Sequence, residues 1–411
     1  MSQQGRDPTV AGAGDPASAE LRRAINALSP ADLHRSARIK WRLFGEDVLP
    51  AWVADMDFPV APAVHGAIRG LLDRHDLGYH HVPLSRRLRE TLVSRMAERF
   101  GWEIDGRSIL PLVNVLQGLD ATVLLHSRAG EGVVVQTPIY PPFLKAVAGS
   151  GRRLVENALL RGPQRFEMDL EGLRGRLDAD TRVLLFCNPH NPTGRAFERS
   201  ELEALADIAL EHDLVVVSDE IHADLVFPGH RHVPFAALGP EIAERTITLT
   251  AATKAFNLAG LPCAFAIFGS DRLRQPFDAL PPHVLGHCGI LDDAATIAAW
   301  TEGQPWLDVV LDYLLENRRL VEETLAREMP GIRFAPPEAT YLAWLDCREL
   351  DLPDEPFDFF LREAKVAFSR GTDFGAPGEG FARLNFATSK AILSEILERM
   401  ASAVRRRSGG S

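Results

Sequence analysis

At 411 residues the chain is too long for one simple core, so two domains are expected. Its 46% hydrophobic and 25% charged composition is that of a globular protein, and a net charge of -11 with a pI near 5.7 argues against nucleic acid or an anionic membrane as main partner. No apolar run reaches the ~18 residues of a membrane span, no secretory leader is evident, and four cysteines without paired spacing (Cys187, Cys263, Cys288, Cys347) point to reduced thiols in a cytoplasm.

Residues 1–18 and 405–411 are rich in small, polar or like-charged residues and are predicted to be disordered tails. Residues 50–59, Pro-Ala-Trp-Val-Ala-Asp-Met-Asp-Phe-Pro, mix acids and aromatics with no period; they read as a packed loop or as the wall of a substrate cavity. A helix is predicted over 61–75, then a turn at Gly78-Tyr79-His80-His81 with its histidines near a cavity mouth, then an amphipathic helix over 84–100 whose arginines form a solvated face. Asn114 to Asp120 lead into an apolar helix over 119–126, and backbone N–H groups at the glycine turn suit a phosphate. A strand at 133–135 follows, with Tyr140 just past its end, where α/β sheets bind ligands.

The next strand, 183–186, ends in Asn188-Pro189-His190-Asn191-Pro192-Thr193-Gly194, where two Asn-Pro pairs force an irregular loop that presents amide side chains. After a helix over 199–212, an apolar strand runs from Leu214 straight into Asp219. A buried carboxylate there calls for a cationic partner. The β-branched run Thr246-Ile247-Thr248-Leu249 reads as a buried strand that delivers Lys254 into a turn ending at Gly260. Burial lowers a lysine's pKa, and the neutral amine can attack a carbonyl to form a Schiff base.

Strands alternating with helices over about 110–270 predict βαβ units and a largely parallel sheet. Beyond Pro281-Pro282 come helical segments over 290–328, broken near Gly303-Gln304-Pro305, a strand at 340–345, a helix at 357–364, a strand at 381–386 and a last helix at 389–404, an α+β pattern. No metal site is expected: His230 and His232 form a His-x-His pair without supporting carboxylate or thiol spacing, and Cys187 reads as core packing.

In order along the chain, 52–58, Gly78-Tyr79, Asn188 to Gly194, Ser218 to His222, Thr253 to Leu261, Trp306-Leu307 and Gly375 to Ala387 resemble the fold type I pyridoxal-phosphate enzymes of the aminotransferase class I/II superfamily, and within it the cystathionine β-lyase (C–S lyase) branch. The resemblance implies an α/β fold with a large domain built on a mostly parallel seven-stranded sheet and a smaller α+β domain. It divides the chain into an arm at 19–60, a cofactor-binding domain at 61–290 and a small domain at 291–404. It implies pyridoxal 5'-phosphate as cofactor and a homodimer with the active site at its interface.

Roles follow from the same likeness. Lys254 would hold the cofactor and act as base at Cα, Asp219 would pair with its ring nitrogen, and Asn191 and His222 would reach its phenolate oxygen. Tyr140 would stack on the ring, and Gly118, Leu119, Thr250 or Thr253 would hold the phosphate, with Tyr79 reaching it from the neighbouring subunit. Arg383 would clamp the substrate carboxylate, with Asn191 and Tyr79 beside it. Two positions depart from expectation. Pro262 stands where many aminotransferases place a phosphate-binding arginine, and Arg370 is charged where an uncharged residue is expected, as a surface residue or a hook for an unusual substrate. The implied activity is α,β-elimination on an S-substituted L-cysteine, giving thiol, pyruvate and ammonia. The alternatives are transamination, or decarboxylation or oxidative deamination of an amino acid conjugate in a secondary-metabolite pathway.

Overall fold

The structure, a computed structural model, describes residues 16–79, 82–162, 164–281 and 283–408. Its centre is a seven-stranded sheet made of β1 (Ile109–Leu112), β2 (Gly132–Thr137), β3 (Arg153–Ala158), β4 (Thr181–Cys187), β5 (Val215–Asp219), β6 (Thr246–Thr250) and β7 (Ala264–Phe268). The spatial order is β1-β7-β6-β5-β4-β2-β3. All neighbours are parallel except β7, which runs antiparallel to both β1 and β6.

The strands read as continuous apolar runs because both faces of the sheet are covered. Val133, Val135, Val183, Leu185 and Val217 pack toward α1 (Val115–His126) and α2 (Pro141–Gly149), while Val134, Leu184, Phe186 and Val216 pack on the other side against α3 (Arg199–Glu211). Strands β4, β5 and β6 advance in one direction across the sheet, and β2 and β3 lie on the other side of β4. The crevice beyond the carboxyl ends of β2 and β4 is therefore the switch point of the sheet, where a ligand has access to loops from several strands.

After β7 come α4 (Ile290–Glu302) and α5 (Gln304–Glu328), broken at Gly303 as the sequence suggests. A four-stranded antiparallel sheet follows, built from β8 (Arg333–Phe334), β9 (Leu342–Asp346), β10 (Ser369–Arg370) and β11 (Phe381–Asn385) in the order β8-β9-β11-β10. Helices α6 (Pro356–Glu363) and α7 (Lys390–Ser408) accompany it. The early segment Leu49–Pro50 pairs in parallel with Val366–Ala367, just ahead of β10, in a separate two-stranded sheet from which residues 50–58 lead on.

Several boundaries differ from the sequence reading. A helix starts at Pro16, inside the expected N-terminal tail. Helix α7 continues to Ser408 because Arg405 pairs with Glu328 at 2.9 Å and Arg406 donates to the Glu363 carbonyl at 2.6 Å. Strands β1, β3 and β7 were not singled out in the sequence: β1 is four residues with a proline and β3 carries Arg153, Glu156 and Asn157, whereas β7 is an apolar run as long as β5 and β6. The expected positions of His80 and His81 lie outside the described residues. Among the described residues no helix is long and apolar enough to cross a membrane.

Candidate active site

The loops at the carboxyl ends of β2, β4, β5 and β6 enclose a cavity of about 180 Å³, bordered by Tyr140, Asn191, Asp219, His222, Thr253 and Lys254 among others. Lys254 lies in the turn after β6, and its Nζ donates to the carbonyl of Ala54 at 2.8 Å. It keeps intermediate exposure because its side chain borders the cavity, yet burial in the surrounding protein, helped by Arg383, pulls its pKa down to about 8. Tyr341, buried at the edge of the small sheet, donates its hydroxyl to the same Ala54 carbonyl at 3.2 Å.

Asp219 ends β5. Burial pushes its carboxyl up to about 7, against a hydrogen bond from the Ile221 N–H at 3.1 Å that favours the ionised form. Among the described residues no cationic side chain is within ion-pair distance of it. The next residue, Glu220, faces elsewhere: it accepts from Ser218 Oγ and the Phe235 N–H and meets His232 Nε2 at 2.8 Å. That contact makes His232 a structural partner of Glu220 and sets aside the His-x-His metal reading. His222 is buried, and desolvation with Lys254 and Arg383 nearby lowers it to about 3, so its ring is neutral. Its Nδ1 is buried without a hydrogen-bond partner.

The Asn-Pro loop is tied to both sheets. Gly194, at φ +71°, has the Pro337 Cβ 2.3 Å from where its own Cβ would stand, and its carbonyl accepts from the N–H groups of Glu338 and Ala339. Asn188-Pro189 and Asn191-Pro192 are both cis. The Tyr140 N–H donates to the Asn191 carbonyl at 3.1 Å, which fixes Tyr140 beside the cavity. Asn191 Oδ1 in turn accepts from Arg383 Nη1 at 2.8 Å.

Arg383, on β11, is 3% exposed. Its Nη2 donates to the Trp52 carbonyl at 2.8 Å and to Ser369 Oγ at 2.9 Å, its guanidinium lies 4.9 Å from the Phe374 ring centre, and its Nε is buried without a partner. Arg370 leaves β10 on the opposite side from Ser369, as strand alternation requires, and is bound bidentately by Asp358 over the Phe357 ring. It is a surface ion pair and does not border the cavity.

The phosphate-binding expectation needs correction. Gly118 and Leu119 do not border the cavity; Asn114, Val115 and Leu116 do. Helix α1 starts a turn earlier than expected, because Asn114 Oδ1 caps it by accepting from the Gln117 N–H at 2.9 Å while Gln117 Oε1 accepts from the Val113 N–H at 3.1 Å. The amides open to a ligand are thus those of the first turn. Gly118 is small for packing: an added Cβ would stand 2.7 Å from Leu112 and from Leu249. Thr250 is buried at the end of β6 and does not reach the cavity, while Thr253 does. Tyr79 is 98% exposed and does not line the cavity. Cys187 borders the cavity, with its thiol held far up its range by burial, and so is no nucleophile.

Residues 52–58, read from the sequence as a packed loop or a cavity wall, serve as both: Ala54 lines the cavity. The carbonyls of Trp52, Val53, Ala54 and Asp55 accept from Arg383, Asn385, Lys254 and Lys40, so this segment straps the two sheets together. Backbone carbonyls leave no mark in a sequence. The i, i+2 pair Arg383 and Asn385, facing one side of β11, was the available signal.

Residues 55–400 match the aminotransferase class I and II family, and the chain belongs to it. It is 38% identical over 375 residues to the cystathionine β-lyase PatB of Bacillus subtilis, covering 89% of this chain and 96% of that one. Among solved structures it is similar to OvoB, with a TM-score of 0.86 and 39% identity over 90% of this chain and 96% of that chain. It is also similar to cystalysin from Treponema denticola, whose structure contains pyridoxal 5'-phosphate, with a TM-score of 0.87 and 32% identity over 92% and 98% of the two chains.

Proposed function

We propose that the protein is a pyridoxal-phosphate-dependent C–S β-lyase that cleaves an S-substituted L-cysteine to a thiol, pyruvate and ammonia. The observation that carries this reading is the convergence of Lys254, Asp219 and Asn191 on one cavity from the loops of three different strands, with Arg383 bonded to Asn191 at its edge. The residues fit the cofactor. Among the described residues Asp219 is a buried acid with no cation at ion-pair distance, His222 Nδ1 is a buried nitrogen without a hydrogen-bond partner, and the first turn of α1 offers amides to a phosphate. Pro262 borders the same cavity, so helix amides and the Thr253 hydroxyl carry the phosphate in place of an arginine.

When bound, the cofactor supplies an electron sink for the pair left at Cα on deprotonation. Lys254 anchors it, and Asp219 keeps the ring nitrogen protonated. Arg383 binds the substrate carboxylate through its planar fork, held at the correct angle by Asn191, Ser369 and the Trp52 carbonyl. Lys254 Nζ, neutral in a useful fraction because its pKa lies near 8, takes the Cα proton. The Cβ–S pair then leaves with the thiolate. A second copy of the chain would bring Tyr79 to the phosphate; Tyr79, Leu77 and Val284 are all more than half exposed in the single chain.

Incubating the cofactor-loaded protein with L-cystathionine and other cysteine conjugates tests the reading. Pyruvate and free thiol without any added keto acid support it. A 2-oxo acid formed only when a second keto acid is present would make the protein an aminotransferase instead.

A further inference from the structure

The cysteines are scattered in sequence, but the fold joins two of them. Cys263 immediately precedes β7, and Cys288 lies just before α4. The register of β7 on β1 sets Ala264 opposite Leu112, and Cys288 Sγ reaches the Leu112 carbonyl at 3.2 Å. Asp293, in the opening turn of α4, turns inward beside them. One ligand atom from each of Cys263, Cys288 and Asp293 lies within 4.8 Å of the other two. All three residues are buried, at 0, 3 and 2% exposure.

We propose that Cys263, Cys288 and Asp293 form a binding site for a soft divalent cation of the zinc class. Two sulfur ligands with one carboxylate oxygen favour such an ion over magnesium or calcium, which take oxygen. Tetrahedral ligands at Zn–S bonds of ~2.3 Å stand about 3.7 Å apart, so closing the site asks only about 1 Å of side-chain adjustment. Each thiol gives its proton to solvent as it binds, and the ion offsets the negative charge gathered in a buried place. The ligands come from the start of a strand and the start of a helix, two rigid supports.

The site adjoins the catalytic cavity, since Cys263 itself lines it. Pro262, Cys263 and Ala264 line the same cavity as Val115 and Leu116 of α1. A bound ion would brace that wall against α4 and has no part in the bond-breaking chemistry. The inference therefore stands or falls apart from the β-lyase reading.

The test uses Cd2+ and the full-length, cofactor-loaded chain kept reduced with a phosphine. The expected result is a thiolate-to-metal charge-transfer band that saturates at one equivalent, is lost in Cys263→Ser and Cys288→Ser, and persists in Cys347→Ser. Asp293→Asn should weaken Cd2+ by tenfold or more, since even losing an outer-shell partner costs about 10–100-fold in metal affinity. If the serine variants do not fold, the wild-type chain decides: Cd2+ should slow alkylation of Cys263 and Cys288 but not of Cys347, read by peptide mass mapping. Absence of the band, its retention in Cys263→Ser, equal alkylation of all three thiols, or a Cys263–Cys288 disulfide in the purified protein would each overturn the proposal.

Discussion

Two lysines meet the same strap of backbone and have opposite characters. Lys40 is fully buried, with Nζ 2.9 Å from Asp57 Oδ2 and 3.1 Å from the Asp55 carbonyl, while Trp41 Nε1 holds the other Asp57 oxygen at 2.7 Å. Lys254 contacts only the neutral Ala54 carbonyl, and burial outweighs the more distant Asp55 and Asp219 carboxylates, with Arg383 adding to it. A carboxylate in contact makes a buried lysine a structural cation. A carbonyl in contact leaves it without a carboxylate at hydrogen-bond distance to offset desolvation, and its proton is more easily lost. The acids divide in the same way: Asp57 is consumed by its ion pair, whereas Asp219 has only a backbone donor and is raised to about 7.

The contrast can be broken by substitution. Lys254→Ala should lower kcat/KM for β-elimination by on the order of 10⁴, the upper range for a positioned proton-transfer group, with an unchanged circular dichroism spectrum. A variant that turns over normally would end the mechanism. Lys40→Met should act on the fold instead, costing about 3–5 kcal/mol in urea denaturation because Asp57 is left charged and buried. Unchanged stability there would show that Lys40 and Lys254 differ less than their partners suggest.

Smaller effects sharpen it. Arg383→Lys removes the fork held by Asn191 and Ser369, and kcat/KM should fall about 10–100-fold, carried mainly by KM. In the cofactor-free protein, Lys254 should react with a small aldehyde at a rate that rises as the pH is raised, with a midpoint near 8, because the neutral amine is the nucleophile. From pH 7 to 9 the rate should rise about tenfold, and a midpoint above 10 would remove the argument for a desolvated amine. Asn114→Ala takes away the cap of α1 and should cost about 1 kcal/mol of stability, with weaker cofactor retention as the first-turn amides lose their frame.

Much of this was legible in the residues. Apolar strands running into Lys254, Asp219 and Asn188 to Gly194 announced a parallel sheet with polar groups at its carboxyl ends, because strand period and turn chemistry are local properties. Phosphate amides were assigned a turn too late, since Gly118 drew attention that belonged to the cap at Asn114. The strand before it singled out Lys254 in the sequence, but only the tertiary structure decided what each lysine touches: the partners of Lys40 and Lys254 lie 17 and 200 residues away. Only the tertiary structure, too, brought Cys263 to Cys288 and joined Arg383 to the Trp52 carbonyl, because such contacts depend on where strands are laid side by side and not on what their neighbours in the chain are.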